Sequence, residues 1–192
     1  MWSCASSSAS THSTDRLSAS DDMDRARPSK EGAQTDAASD VAASAPPGQA
    51  RAIVEAHNRY RAQHCADPLR WSAELASVAQ AWADQLRDRG CAFGHSQSSE
   101  YGENLFFAAP SSPTSGVAAV DTWYAEHQRY RFSSPGFSMR TGHFTQVVWR
   151  GTRELGCGTA QCNGGDIWVC NYSPPGNMID AYRQNVLPTS CR

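Results

Sequence analysis

Apolar side chains recur at helical spacing in three stretches of the chain and then give way to strand-like runs. The clearest helical stretch lies between Ser72 and Gly90, where Leu75, Val78, Ala79, Trp82 and Leu86 share one face. Ser72 suits an N-cap, because its hydroxyl can accept a free N–H of the first turn. Gly90 suits a stop, because glycine enters the left-handed conformation that ends helices. An earlier helix is predicted over about 50–64, with Ile53, Val54, His57 and Tyr60 near one stripe. A third is predicted over about 116–130, with Val117, Val120, Tyr124 and His127 on a stripe. After residue 140 the pattern changes. His143 to Trp149 is β-branched and aromatic and reads as a strand. Leu155 to Cys162 and Ile167 to Tyr172 read as two more, joined by the turn signal Asn163-Gly164-Gly165-Asp166. Helices first and strands later predict an α+β domain with helices packed on a small antiparallel sheet.

This patterning is confined to one part of the chain. Residues 1–49 hold eleven serines, and their large apolar residues are only Met1, Trp2, Leu17, Met23 and Val41. Such a segment buries too little apolar surface to offset its chain entropy, so 1–49 is expected to be a disordered linker and 50–192 the folded domain. The tail carries seven acids and four bases, and the whole chain of 192 residues has a net charge of −2. That balance excludes a protein built to coat nucleic acid, which needs a basic surplus. No apolar run is long enough for a membrane-spanning helix.

Seven cysteines in a chain of this length point to an oxidising compartment. Cys4 stands apart in Trp2-Ser3-Cys4-Ala5-Ser6, ahead of the serine-rich linker. It is a candidate lipoprotein anchor, although no signal-peptide core precedes it. The other six, Cys65, Cys91, Cys157, Cys162, Cys170 and Cys191, suit three disulfides whose pairing the arithmetic leaves open. No Cys-x-x-Cys cluster favours a structural zinc site.

Two histidines and two glutamates stand out chemically. His95 follows the second helix in Phe93-Gly94-His95-Ser96, and His143 lies in Gly142-His143-Phe144-Thr145-Gln146. Glu103 lies in the turn-rich Tyr101-Gly102-Glu103-Asn104-Leu105, read as a loop, and Glu126 is on the third helix. Two imidazoles and two carboxylates can form a divalent-metal site, an acid–base set, or separate structural hydrogen bonds. Composition alone does not choose among them.

Order and context add a resemblance. His95-Ser96, Gly102-Glu103-Asn104-Leu105, Trp123-Tyr124-Ala125-Glu126, Gly142 to Trp149, Leu155-Gly156-Cys157-Gly158 and Cys170 to Asn177 follow one another along the chain. Together with Ala56-His57-Asn58 and Leu69-Arg70-Trp71, they resemble the CAP superfamily of cysteine-rich secretory proteins, venom antigens and pathogenesis-related proteins. The resemblance covers about 50–187 and implies a three-layer α-β-α sandwich. It implies a cleft in which His95, Glu103, Glu126 and His143 gather, with Zn2+ or another divalent cation on the histidines. It also implies the bridges Cys91–Cys162 and Cys157–Cys170, leaving Cys65 to pair with Cys191.

The function this implies is a secreted, monomeric binding protein in defence or host and environment interaction. Its partners would be a sterol or other lipid, or an unidentified protein. Phe106, Phe107 and Tyr124 are candidates for an apolar cleft rim. A metal-dependent peptidase is the competing reading, with Glu103 or Glu126 as base or Ser96 as nucleophile, but the zinc-peptidase His-Glu-x-x-His helix is missing. A ligand-free structural network is the third reading. An enzyme is less expected than a binder.

Overall fold

The computed structural model describes residues 47–110 and 115–191. Cys4, its expected lipid anchor and residues 1–46 of the expected 1–49 linker lie outside the described residues, while 47–49 belong to the first helix. The chain runs α1 (Pro47–Gln63), β1 (Arg70–Trp71), α2 (Ala73–Asp88), β2 (Gly102–Ala108) and α3 (Gly116–Ala125). A 3-10 turn over Glu126–Arg129, α4 (Gly142–Val147), β3 (Glu154–Cys162), β4 (Gly165–Ser173) and α5 (Tyr182–Asn185) follow.

The caps of α2 are those its sequence prescribes. Ser72 Oγ accepts the Leu75 N–H at 3.3 Å, and Gly90 takes a φ of +71° just beyond the last turn. The β3–β4 hairpin turns at Asn163 and Gly164, both at positive φ, the conformation that suits the twist of a two-residue hairpin. The sheet order is β1-β3-β4-β2. β3, β4 and β2 pair antiparallel, and the two-residue β1 adds a parallel pair at the β3 edge.

Helices cover both faces. α2 lies so close to β3 that a Cβ on Gly156 would fall 2.1 Å from Ala76 N, and one on Gly158 2.3 Å from Gln80 Cα. The glycines of Leu155-Gly156-Cys157-Gly158 are therefore where helix backbone rests on strand. Ala79, Ala83, Leu86, Ile167 and Val169 fill this thin layer. On the other face α1, α3 and α4 bury Ile53, Trp123, Phe144, Leu155, Trp168 and Tyr172 in the larger core. Arg61 of α1 is buried there and donates to the backbone carbonyls of Asp67, Val147, Trp149 and Thr152. Burial pushes its pKa down to about 10, so it remains a cation at neutral pH, and the carbonyl dipoles solvate it. Disulfides join Cys65–Cys191, Cys91–Cys162 and Cys157–Cys170. The first closes 126 residues, worth about 5 kcal/mol on the chain-entropy account.

Three elements differ from the sequence reading. Residues 142–147 form helix α4 rather than a strand. Continuous burial of Phe144 to Val148 fits either form, as strand β4 shows. The helical form is held by Glu126 Oε2, which accepts the His143 and Phe144 N–H groups of the first turn. Thr145 and Gln146 spend their polar groups inward, on Asn177 and on Thr152 and Gly176. Phe144, Val147 and Val148 sit at i, i+3 and i+4, and a run this short satisfies both periods. The second difference is Glu103, which lies in strand β2 rather than a loop, with β2 pairing β4 along its whole length. The third predicted helix also ends early, at Ala125, and tightens to the 3-10 turn that carries Glu126.

Candidate functional site

Four different structural contexts present the two histidines and two glutamates. His95 lies in the loop after α2, held by Trp82 Nε1 donating to Gly94 O at 3.0 Å. Glu103 is the second residue of β2, opposite Asn171 of β4. Glu126 opens the 3-10 turn after α3, and His143 is the second residue of α4.

They meet as two His–Glu pairs. Glu103 Oε1 accepts from His95 Nδ1 at 2.6 Å and from the Ser96 N–H at 3.0 Å. Glu126 Oε1 accepts from His143 Nδ1 at 2.8 Å, while its Oε2 accepts the His143 and Phe144 N–H groups, each at 3.1 Å. Glu126 thus caps α4 from another element, satisfying donors that a helix N-terminus leaves free. A carboxylate on Nδ1 selects the tautomer with its proton there, which leaves the Nε2 lone pair available. Among the described residues neither Nε2 has a hydrogen-bond partner.

His95, Glu103 and His143 line one cleft of about 300 Å3, together with Asn104, Phe137 and Met139. Glu126 is not in the wall but stands behind His143. Glu103 Oε2 is buried and has no hydrogen-bond partner among the described residues. Its carboxylate keeps His95 protonated to higher pH than a free imidazole, an effect partly offset by burial. No three His, Cys, Asp or Glu side chains form a ready-made metal cage among the described residues. The cleft therefore offers two imidazole nitrogens and one unpartnered carboxylate oxygen. That donor set fits a cation completing its shell with water or a ligand, not a closed structural site.

The apolar part of the wall is not the expected one. Tyr124 is buried and stacks on Tyr60, Phe106 packs against the core, and Phe107 meets Phe93 edge-on. Phe137 and Met139, from the loop between the 3-10 turn and α4, line the cleft instead. Ser96 contributes its backbone N–H, while its Oγ accepts from Ser98 N at 3.4 Å.

Sequence reasoning missed a supporting network. Asn104 Nδ2 donates to His143 O at 3.2 Å and to Tyr172 Oη at 3.3 Å. Tyr172 in turn donates to His57 Nε2 at 2.9 Å, and His57 Nδ1 donates to Ile53 O. Burial holds His57 neutral, with its pKa lowered to about 4, and pushes the Tyr172 phenol upward. Asn177 clamps the first turn of α4, with Nδ2 on Gly142 O at 2.9 Å and Oδ1 accepting from Thr145. The available signal is that Asn104, Tyr172 and Asn177 lie inside the segments that carry the resemblance, although their side chains drew no chemical reading.

Comparison with known proteins follows the same outline. Residues 54–172 match the profile of the "Cysteine-rich secretory protein family". The chain is 45% identical over 139 residues to Protein PRY2 of Saccharomyces cerevisiae, a match covering 71% of this chain and 40% of that protein. It is 44% identical over 128 residues to Pathogenesis-related protein 1 of Arabidopsis thaliana, covering 66% and 77%. It is 36% identical over 141 residues to human Golgi-associated plant pathogenesis-related protein 1, covering 71% and 90%. Among solved structures, BmVAL-1 superposes with a TM-score of 0.60 at 29% identity, over 74% of this chain and 82% of that one. NaASP2 with Zn2+ superposes with a TM-score of 0.58 at 26% identity, over 69% and 83%.

Proposed function

Because the chain belongs to the cysteine-rich secretory protein (CAP) family, we propose that it is a secreted binding protein whose cleft takes a divalent cation, such as Zn2+, on Nε2 of His95 and His143. The observation that carries this reading is the pair of Nδ1–carboxylate hydrogen bonds, 2.6 Å at Glu103 and 2.8 Å at Glu126. Metal-binding histidines are ordinarily oriented by such a carboxylate, which fixes the tautomer and raises ligand basicity. The unpartnered Glu103 Oε2 gives cation-bound water, or the cation itself, a third polar contact. Three disulfides support an oxidising, extracellular setting. The pathogenesis-related relatives support a role in defence or host interaction. NaASP2, a structural relative, has been crystallised with Zn2+.

The cation supplies a positive centre able to hold an anionic or carbonyl group of a partner. The chain's own residues orient the imidazoles, exclude their wrong tautomer and present Phe137 and Met139 as an apolar lip. A sterol or other lipid is a candidate ligand at that lip.

The test is zinc calorimetry of the chelator-stripped full-length chain at about pH 7.5, where unpaired imidazoles are neutral. Wild type should bind with micromolar or tighter affinity, and His95→Ala and His143→Ala should each lose at least about a hundredfold. No heat in wild type, or undiminished binding in both variants, sinks the reading.

A further inference from the structure

Seven large apolar side chains stand exposed among the described residues, and four of them lie on two segments beside the cleft. Phe137 and Met139, 59% and 81% exposed, come from the segment before α4. Met178 and Ile179, 54% and 85% exposed, come from the segment after β4. Phe137 and Ile179 border one shallow hollow, so the two segments form one patch. Isolated exposed apolar groups are ordinary on protein surfaces, but a cluster of this kind marks a contact surface.

The charges around the patch all but share one sign. Arg129 and Arg131 line a second hollow that has Phe137 in its wall. Arg183 lines the hollow with Ile179, and Arg140 follows Met139 in the chain. All four are exposed, and none has a carboxylate partner among the described residues, unlike Arg51, Arg59, Arg70, Arg87 and Arg153. Asp180 is the one acid lining the two hollows. Every base beyond residue 50 is an arginine, the side chain whose planar fork binds phosphate oxygens in pairs.

We propose that this face docks on an anionic lipid bilayer, with Ile179, Met178, Phe137 and Met139 entering the headgroup boundary while the four arginines hold lipid phosphates. Apolar tips with flanking cations are the composition that binds membrane interfaces, where apolar burial and attraction to anionic lipid act together. The face favours a bilayer over an acidic protein because the apolar groups stand on two separate segments and a fluid surface needs no matching holes. Docking here sets the cleft mouth beside the membrane, since Phe137 and Met139 belong to both. It does not depend on a cation in the cleft.

The test is sedimentation of the full-length, chelator-stripped chain with vesicles. One set is phosphatidylcholine alone, and the other replaces about a third of it with phosphatidylserine. Binding should be at least about tenfold stronger to the anionic set and should fall as salt rises. The Arg131→Glu/Arg183→Glu double variant should bind at least about twenty-five-fold more weakly, at roughly fivefold per arginine removed. Met178→Ser/Ile179→Ser should bind about tenfold more weakly. Both variants change exposed groups outside the cleft wall, and an unchanged melting temperature confirms that they fold. Equal binding to both vesicle sets, no binding, or variants that bind like wild type would overturn the proposal. A solution dimer that Met178→Ser/Ile179→Ser returns to monomer would also overturn it, by assigning the face to a second copy of the chain.

Discussion

The two halves of the cleft carry the same pair of side chains on different foundations. Glu126 accepts three hydrogen bonds, one from the His143 ring and two from the His143 and Phe144 backbone donors that begin α4. Asn104 grips the His143 carbonyl from the core, and Trp123 stacks against the imidazole with centroids 6.2 Å apart. Glu103 holds His95 by one side-chain bond and one loop N–H, on a segment without regular structure, and keeps an oxygen unspent. The His95 side chain is 53% exposed and that of His143 is 32% exposed. One half is therefore part of the fold, and the other is an attachment to it. A fixed ligand sets position, while the half-exposed His95, on an irregular loop with fewer contacts to hold it, is the movable half.

Glu126→Ala strikes the foundation of the fixed half. It strands two N–H donors of α4 and frees the His143 ring, so destabilisation of about 4 kcal/mol is expected, at about 1–3 kcal/mol per stranded donor. For a domain of this size that lowers the melting temperature by about 8–16 °C. Thermal unfolding of the metal-free chain measures it. A loss below about 1 kcal/mol would show that the two halves are built alike.

Acid should break the same half next. His57 is buried and neutral with a pKa of about 4, and it reaches His143 through Tyr172 and Asn104. The unfolded chain binds a proton at His57 below about pH 6.5 and the folded chain only near 4, so folding stability falls as pH drops through that window. The loss is about 3 kcal/mol by pH 4, and denaturant melts at stepped pH follow it. His57→Phe fills the site without titrating, and its melts should lose the part of the pH slope that His57 supplies. A slope identical to wild type would place the acid sensitivity elsewhere.

The movable half predicts the opposite signature. Glu103→Gln keeps shape and loses charge, so stability should change by no more than about 1 kcal/mol while zinc affinity falls about 10–100-fold. Calorimetry paired with thermal melts separates the two readouts.

What the chain reveals in advance follows the same division. Ser72, Gly90, Asn163 and Gly164 act locally, so α2 and the β3–β4 hairpin are legible from neighbours in sequence. Glu126 capping α4 from 17 residues away is not local, and neither is the burial of Thr145 and Gln146, so residues 142–147 look like a strand until the fold supplies their partners. Glu103 is hidden for a related reason. A charged and an amide residue follow Gly102 at the start of a strand that pattern rules reserve for apolar side chains, because Glu103 turns to His95 while Asn104 turns to the buried Tyr172 and the His143 carbonyl. The histidines and glutamates could be picked out by type and order. Their division into two pairs, with one carboxylate spent on a helix terminus, is a property of the assembled layers.

The smallest effect tests the comparison most directly. Glu103 raises the His95 pKa above its ordinary value of about 6.5, so protonated His95 adds stability that is fully present below that value and fades as pH rises through the raised pKa. The imidazole is half exposed, and solvent screening holds the gain below about 0.5 kcal/mol. His95→Ala should therefore melt slightly below wild type at about pH 5 and together with it at about pH 9, where His95 is neutral. The same proton competes with metal, so zinc affinity should begin to fall on the alkaline side of about pH 6.5 rather than at it. If His95→Ala instead costs as much stability as Glu126→Ala at every pH, the His95 loop is as much a part of the fold as α4. The cleft would then have no movable side, and closing on a ligand would need motion elsewhere.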